Sequence, residues 1–245
     1  MSIVKDIQVK VIDSKTANVF VKKWHYSGKI VKNSSLHFGC FMNNILHGVM
    51  SYGSPMDKRK MLSLVDGTLW NEMLELNRMA FDDILPKNSE SRCLSISFKL
   101  IKKNASHIKW ILSFSDGTQS GDGTIYRATG FYLTQIKKNT GLILFNGEIV
   151  SRMTLDATDI KKTGIGYKQA LNNGAKILDG YQLRYIYLLD KSCKITVPIL
   201  AYSKIDEIGA GMYKGKKRVN SSKVEHPAPL EEGGAVPTLT LHKES

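Results

Sequence analysis

"EMLELNRMAFDDILPKNSESRCLSISFKLIKKNASHIKWILSFS", Glu72 to Ser115, decides how the chain is organised. "EMLELNRMAF" reads as a strand. Asn88 or Ser89 then caps a long helical stretch, "ESRCLSISFKLIKKN", and "IKWILSFS" reads as a second strand. A strand, a long helix and a strand at that spacing imply a parallel pair joined by a right-handed crossover. Glu72–Phe81 and Ile108–Phe114 are therefore expected side by side.

The segments before the crossover are of another kind. "IVKDIQVKVID" alternates and reads as a strand. Ser14 is placed to cap the helix "KTANVFVKKWHYS", with Ala17, Val21 and Trp24 on one stripe and Trp24 in the core. "SLHFGCFM" and "ILHGVMSYG" meet at Asn43-Asn44, a hairpin signal, because Asn tolerates the left-handed backbone of a tight turn. Ser54 to Asn71 is polar, with room for a short helix. After the crossover, "SDGTQSGDG" leads into the helical reading "TIYRATGFYLTQI". "TGLILFNGEIVSRM" and the stretches "RYIYLLD" to "VPILAYS" add strands. The fold class is thus mixed α/β, with a mixed central sheet flanked by helices, over residues 1–213. Residues 214–245, rich in Lys, Ser, Gly, Pro and Glu, read as a flexible basic tail.

The 245 residues suffice for a core of their own, and 42% are apolar. No apolar run reaches membrane-spanning length, and the N-terminus has no signal-peptide core, so a cytoplasmic protein is expected. Cys40, Cys93 and Cys193 lie far apart among apolar neighbours and read as reduced thiols. His37 and His47 read as packed or surface residues. Tyr52 and Trp70 are open between a cleft and simple packing. Thirty-five Lys and Arg against 22 Asp and Glu give a net charge of +13. Their grouping along the chain suits a broad phosphate-contacting face.

An antiparallel meander entering a parallel crossover resembles the GNAT acyltransferase fold. That resemblance implies splayed parallel strands 4 and 5, with the pantetheine-bearing donor, acetyl-CoA or a related acyl donor, in the gap. At the start of the crossover helix, Ser89, Ser91 and Arg92 are candidates for its pyrophosphate, since free N–H groups there favour anions. The fold's usual glycine-containing phosphate loop is absent, because no glycine lies between Gly67 and Gly117.

Four stretches in order, "KWHYSG", "LNRMAF" with "PKNSESR", "SFSDG" and "GTIYRATGF", resemble the Mom DNA-modification proteins of bacteriophages, from about Val19 to Thr154. The resemblance implies a phage enzyme that works on DNA in the cytoplasm of the bacterial host. It implies modification of the N6 amine of adenine with a carbamoylmethyl-type group, protecting the DNA from host restriction. It places the active site at His25, Tyr26, Asp116 and Tyr126, and links the family to acetyl-CoA and ferrous iron.

On that resemblance, His25 or Asp116 is the base at the acceptor amine, Tyr26 stacks on a flipped-out adenine, and Tyr126 is the general acid. The glycines after Asp116 would let backbone approach the ligand. The family's group attaches through a CH2, whereas acyl transfer joins nitrogen to a carbonyl carbon, so a metal held by His25 and Asp116 is a candidate for the extra step. Two other readings stand beside this one. The first is a conventional GNAT N-acyltransferase acting on a protein or RNA amine. The second is a non-catalytic basic DNA-binding protein.

Overall fold

The computed structural model of the protein describes residues 7–156 and 164–218. Seven strands form the main sheet: β1 Gln8–Val11, β2 Ser34–Met42, β3 Ile45–Gly53, β4 Met73–Phe81, β5 Trp110–Asp116, β6 Tyr132–Lys138 and β7 Tyr181–Leu188, in the order β1-β2-β3-β4-β5-β7-β6. Neighbours are antiparallel except β4 and β5, which are parallel. The β2–β3 turn uses Asn43 and Asn44 with φ of 52° and 62°, as the hairpin reading requires.

Helix α1, Ser14–Trp24, covers one face through Ala17, Phe20 and Val21, which pack on Val49 and Ala80. Helix α3, Ser89–Asn104, covers the other through Leu94, Phe98 and Ile101. Alternation along the strands separates the two cores: Ile111 faces the α3 side, and Trp110 and Leu112 face the opposite side, against Leu64 and Val65. Between β3 and β4 lies the short helix α2, Lys58–Leu62.

The parallel pair opens along its length. Register runs from Met73↔Trp110 to Leu76↔Ser113 and stops there, although β4 continues to Phe81 and β5 to Asp116. Two constraints drive them apart. Strand β5 stays bonded to β7 as far as Asp116↔Gln182. Strand β4 follows β3 and carries a bulge, since Leu76 pairs with Tyr52 and Arg78 with Ser51, leaving Asn77 as the extra residue. A bulge bends and twists its strand, here away from β5.

Several sequence expectations need correction. Asp13, not Ser14, caps α1: its carboxylate accepts from Thr16 N at 2.9 Å. The helix ends at Trp24, because His25 takes an extended backbone (φ −79°, ψ 133°), so His25 and Tyr26 lie beyond its last turn, and Gly28 then turns the chain with φ of 59°. Trp24 is 40% exposed rather than core. The helical reading of "TIYRATGFYLTQI" is too long. Helix α4 is Thr124–Ala128, Gly130 breaks it with φ of 82°, and β6 follows. "VPILAYS" is not a strand among the described residues; it runs beside β6, where Leu200 N donates to Leu133 O.

Lys214 to Arg218, expected to be mobile, is folded. Met212–Tyr213 and Lys216–Lys217 form a hairpin. Arg218 reaches the buried Asp122 at 2.6 Å and Asp206 at 2.9 Å, while Lys214 pairs with Asp83 and Lys217 with Asp179. The Arg218 pair with buried Asp122 holds this group against the domain, while the Lys214 and Lys217 pairs are exposed to solvent. Residues 219–245 of the expected tail lie outside the described residues.

Between β6 and β7 the chain inserts a small unit. Leu142–Phe145, Glu148–Ser151 and Lys176–Ile177 form a three-stranded sheet over a core of Ile143, Leu155, Tyr167 and Ala170. No helix among the described residues is long and apolar enough to cross a membrane.

Candidate active site

Where β4 and β5 part, a cleft of about 560 Å³ opens. Glu75, Asn77 and Arg78 line it from β4, Asp116 from the end of β5, and Tyr26 from the turn after α1. Lys137, Lys138 and Arg152 stand on the far side, on β6 and the inserted unit. Asp116, Gln182 and Lys137 lie in one row across β5, β7 and β6.

Residues 26 and 116 meet directly: the Tyr26 hydroxyl donates to Asp116 Oδ2 at 3.1 Å. The other carboxylate oxygen takes the Thr118 and Gln119 backbone N–H groups at 2.9 and 3.2 Å, and the Gln119 amide donates to Oδ2 at 3.0 Å. Asp116 therefore both builds the turn and anchors Tyr26. Tyr26 is 52% exposed as a residue, but its hydroxyl end is turned to Asp116 in the cleft. Withdrawal of that end from water, then the Asp116 charge, pushes the phenol above its ordinary range, so it stays a donor at neutral pH.

His25 packs its ring on Tyr26, with centroids 4.3 Å apart. Its Nδ1 accepts from Ser27 N at 3.2 Å and faces Ser27 Oγ at 2.8 Å, which assigns the hydrogen of the neutral ring to Nε2. Burial, reinforced by the Arg78 charge, lowers its pKa to about 4. His25 is thus a neutral ring at pH 7 whose basic nitrogen is already used. Arg78 is fixed by the carbonyls of Lys29 at 2.8 Å and Asn77 at 2.7 Å.

Tyr126 sits deeper than the other three and does not line the cleft. Its ring packs between Phe131 and Tyr185, with centroids 5.1 Å from each. Its hydroxyl interacts with Ser113, in the last residue pair before β4 and β5 separate, and burial raises its pKa. The structure therefore brings Tyr26 and Asp116 into contact in the cleft, sets His25 against Tyr26, and puts Tyr126 beneath the floor.

At two positions the glycine-rich loop serves the protein's own packing. A Cβ at Gly123, where φ is 87°, would stand 2.7 Å from the Tyr185 ring, and one at Gly117 would stand 2.9 Å from Tyr181 O. The loop is pinned through Asp122, whose carboxylate accepts from Met212 N at 3.1 Å and pairs with Arg218.

The three candidates for phosphate binding lie at the start of α3 and none lines the cleft. Ser89 is fully buried and its hydroxyl donates to Pro86 O at 2.6 Å, so that side chain is committed. Ser91 Oγ donates to Asn88 O at 3.1 Å. Asn88, at φ of 70°, makes no side-chain cap; Ser89 N is taken by Pro86 O at 3.1 Å, which leaves the N–H groups of Glu90 and Ser91 in the first turn of this sixteen-residue helix for an anion. Together with the unpaired facing edges of Asn77–Phe81 and Phe114–Asp116, this fits an extended donor carrying a pyrophosphate. The residues do not fit a metal. Among the described residues no three His, Cys, Asp or Glu side chains form a metal-binding group. The proposed ligands His25 and Asp116 spend their acceptor atoms on Ser27, Tyr26, Thr118 and Gln119.

The sequence profile of the Mom protein family matches residues 6–204. The chain belongs to the Mom protein family. It is 32% identical over 192 residues to the methylcarbamoylase Mom of Escherichia phage Mu, covering 78% of each chain. Among solved structures it is similar to a GNAT family acetyltransferase from Elizabethkingia anophelis with acetyl-CoA bound (13% identity, 75% of this chain and 98% of that one, TM-score 0.44). It is also similar to the ribosomal-protein-S18-alanine N-acetyltransferase of Escherichia coli (9% identity, 75% and 94%, TM-score 0.44). The chain's own strand order and splayed parallel pair give it the GNAT-like architecture.

Within this Mom family chain, sequence reasoning singled out Tyr26 and Asp116 but passed over Glu75, Asn77 and Arg78. The signal was present in "MLELNRMAF", where three polar residues interrupt an apolar central strand. Tyr52, left open above, is fully buried with its hydroxyl 2.6 Å from Ser97 Oγ, and Trp70 is exposed, with Lys58 Nζ 5.0 Å from its ring. His37 and His47 are buried on Ser51 and Asp82, at 2.8 and 2.9 Å.

Proposed function

We propose that the protein is a phage DNA-modifying transferase that modifies the N6 amine of adenine, using an acyl-CoA-type donor held between β4 and β5. The observation that carries this reading is the Tyr26–Asp116 hydrogen bond at 3.1 Å, made across 90 residues of sequence at the mouth of the strand wedge. It joins two of the positions that the Mom resemblance marks as catalytic.

Free N–H groups at the start of α3, with Ser91 and Arg92, would hold the donor's phosphates. When bound, the donor supplies an activated acyl carbon. The chain's own residues do the rest. Lys137, Lys138 and Arg152 form a basic wall for DNA phosphates beside the cleft. The His25–Tyr26 pair, its ring planes inclined at 32°, offers an aromatic face to an extruded base, since the amine is inaccessible within a duplex. Asp116 fixes Tyr26 in place. Tyr126 keeps its phenolic proton beside Ser113, beneath the point where the strands part, and is the residue that the resemblance assigns as general acid.

Nucleoside mass spectrometry of DNA from cells expressing the chain tests the reading. A modified deoxyadenosine, lost in the Asp116→Asn variant, is expected. Acyl-CoA consumption with unmodified DNA would establish a conventional acyltransferase instead. Salt-sensitive DNA binding with neither activity would establish a binding protein.

A further inference from the structure

The two bases that the sequence suggested are both committed: His25 Nδ1 to Ser27, and the Asp116 oxygens to four donors. Two other groups in the cleft have the opposite character. Glu75 lines the cleft and is largely withdrawn from solvent, and its carboxyl, which feels the Arg78 charge, makes no side-chain hydrogen bond or close ion pair among the described residues. Asn77, 9% exposed, uses Oδ1 to accept from Ser34 Oγ at 2.8 Å, and its Nδ2 is buried without a partner. His37 Nε2 is likewise buried without a partner but lies away from the cleft, whereas Asn77, with its amide oriented by Ser34 Oγ, borders it, so its Nδ2 is a donor available to a molecule in the cleft.

Glu75 and Asn77 come from one stretch of backbone, at the bulge that starts the splay. Along a regular strand, neighbours such as Glu75 and Leu76 would point to opposite faces. Here the Leu76 side chain packs into the α3-side core, while Glu75, Asn77 and Arg78 border the cleft, where the bulge adds Asn77 as an extra residue and the β5 partner is lost. The result is one unpartnered acceptor and one unpartnered donor two residues apart.

We infer that Glu75 and Asn77 form a subsite that reads the amidine edge of the extruded adenine, the Glu75 carboxylate accepting from the N6 amine and Asn77 Nδ2 donating to the adjoining ring nitrogen N1. The inference rests on the function proposed above and names how that site selects its base. Adenine presents a donor and an acceptor side by side on this edge. Guanine presents a carbonyl and an N–H there, and thymine has no amine, so each would leave both protein groups opposed. Cytosine shares the amidine pattern on a smaller ring.

Charge follows the same logic. Burial raises the Glu75 pKa to about 7, with Arg78 opposing the rise. As pH increases through that value, the carboxyl loses its proton and becomes a pure acceptor for the amine. The other groups lining the cleft or coupled to Glu75 are Arg78, Tyr26, Asp116, Lys137, Lys138 and Arg152, with Tyr126 beneath it. His25, at about 4, is already neutral across pH 6 to 8.

The test measures binding of single strands, otherwise all thymine, that carry one central adenine, cytosine, purine (no N6 amine) or 1-deazaadenine (no N1). The full chain is used at fixed salt, with fluorescence anisotropy as the readout. The wild-type protein is expected to bind the adenine strand ~10-fold or more tightly than the purine and 1-deazaadenine strands, and more tightly at pH 8 than at pH 6. Glu75→Ala should remove the discrimination against purine, and Asn77→Ala that against 1-deazaadenine, with circular dichroism confirming that each variant is folded. Wild-type protein that binds all three purine strands alike would overturn the subsite without recourse to any variant, and equal affinity for cytosine would overturn its assignment to adenine. Mass spectrometry of DNA separates the two levels. Modified deoxyadenosine without strand discrimination refutes the subsite alone, whereas discrimination without modification keeps the subsite and refutes the transferase reading.

Discussion

Replacing Tyr126 with Phe separates a proton donor from a packed ring, because the structure sets the two consequences on different scales. The ring contacts with Phe131 and Tyr185, at 5.1 Å each, survive the change. Only the hydroxyl's interaction with Ser113 is lost, and Ser113 Oγ retains Leu76 O at 3.3 Å, so no buried group is orphaned. A lost hydrogen bond of this kind costs about 0.5–1.5 kcal/mol. In a domain of this size that lowers the melting temperature by ~1–6 °C. A general acid is worth far more in rate: losing it should slow modification ~10²–10⁴-fold, equivalent to ~3–5 kcal/mol of barrier. Burial holds the phenol protonated at neutral pH, as a donor must be before it acts. The assay follows modified deoxyadenosine per DNA over time, beside thermal melts by circular dichroism. Modification within about threefold of wild type, with the small loss of stability, would refute the assignment and leave Tyr126 as packing.

Truncation after Arg218 should leave the melting temperature nearly unchanged. Truncation after Tyr213 should lower it by several degrees, because Asp122, 3% exposed at its side chain, loses its Arg218 partner; equal melting of the two forms would refute the pinning role. Lys137→Ala and Lys138→Ala should each reduce the slope of log affinity for duplex DNA against log salt by ~1, and an unchanged slope in both would remove these lysines from the phosphate face. The Glu75 carboxyl binds its proton more tightly in the folded protein, so its stabilisation is full below about pH 4.5 and is lost as pH rises through about 7. Glu75→Gln should therefore melt at a higher temperature than wild type at pH 8, by an amount worth up to ~3 kcal/mol, and at nearly the same temperature at pH 4.5; an identical difference at both pH values would contradict the burial of this charge.

The local pattern of the chain carried the elements and their order. Asn43-Asn44 marked a hairpin because few residues accept that backbone. The helix between two apolar runs required a parallel crossover. The motifs around Tyr26 and Asp116 pointed to the pair that meets in the cleft. Tertiary structure decided what those motifs could not. Which way Glu75 and Asn77 face depends on a bulge against β3 and on where β5 stops pairing, and neither is written in the strand's own sequence. The nitrogen of His25 that carries hydrogen depends on the turn His25–Gly28, closed by Gly28 N on His25 O, which brings Ser27 back to the ring. Tyr126 lies beneath the cleft because α4 is a single short turn packed on Tyr185. Lys214 to Arg218 reads as a free basic run until Asp122, Asp179, Asp206 and Asp83 are brought to it from distant parts of the chain. Periodicity and turn chemistry act over a few residues and are legible in order. Burial, protonation and pairing depend on residues that only folding brings together.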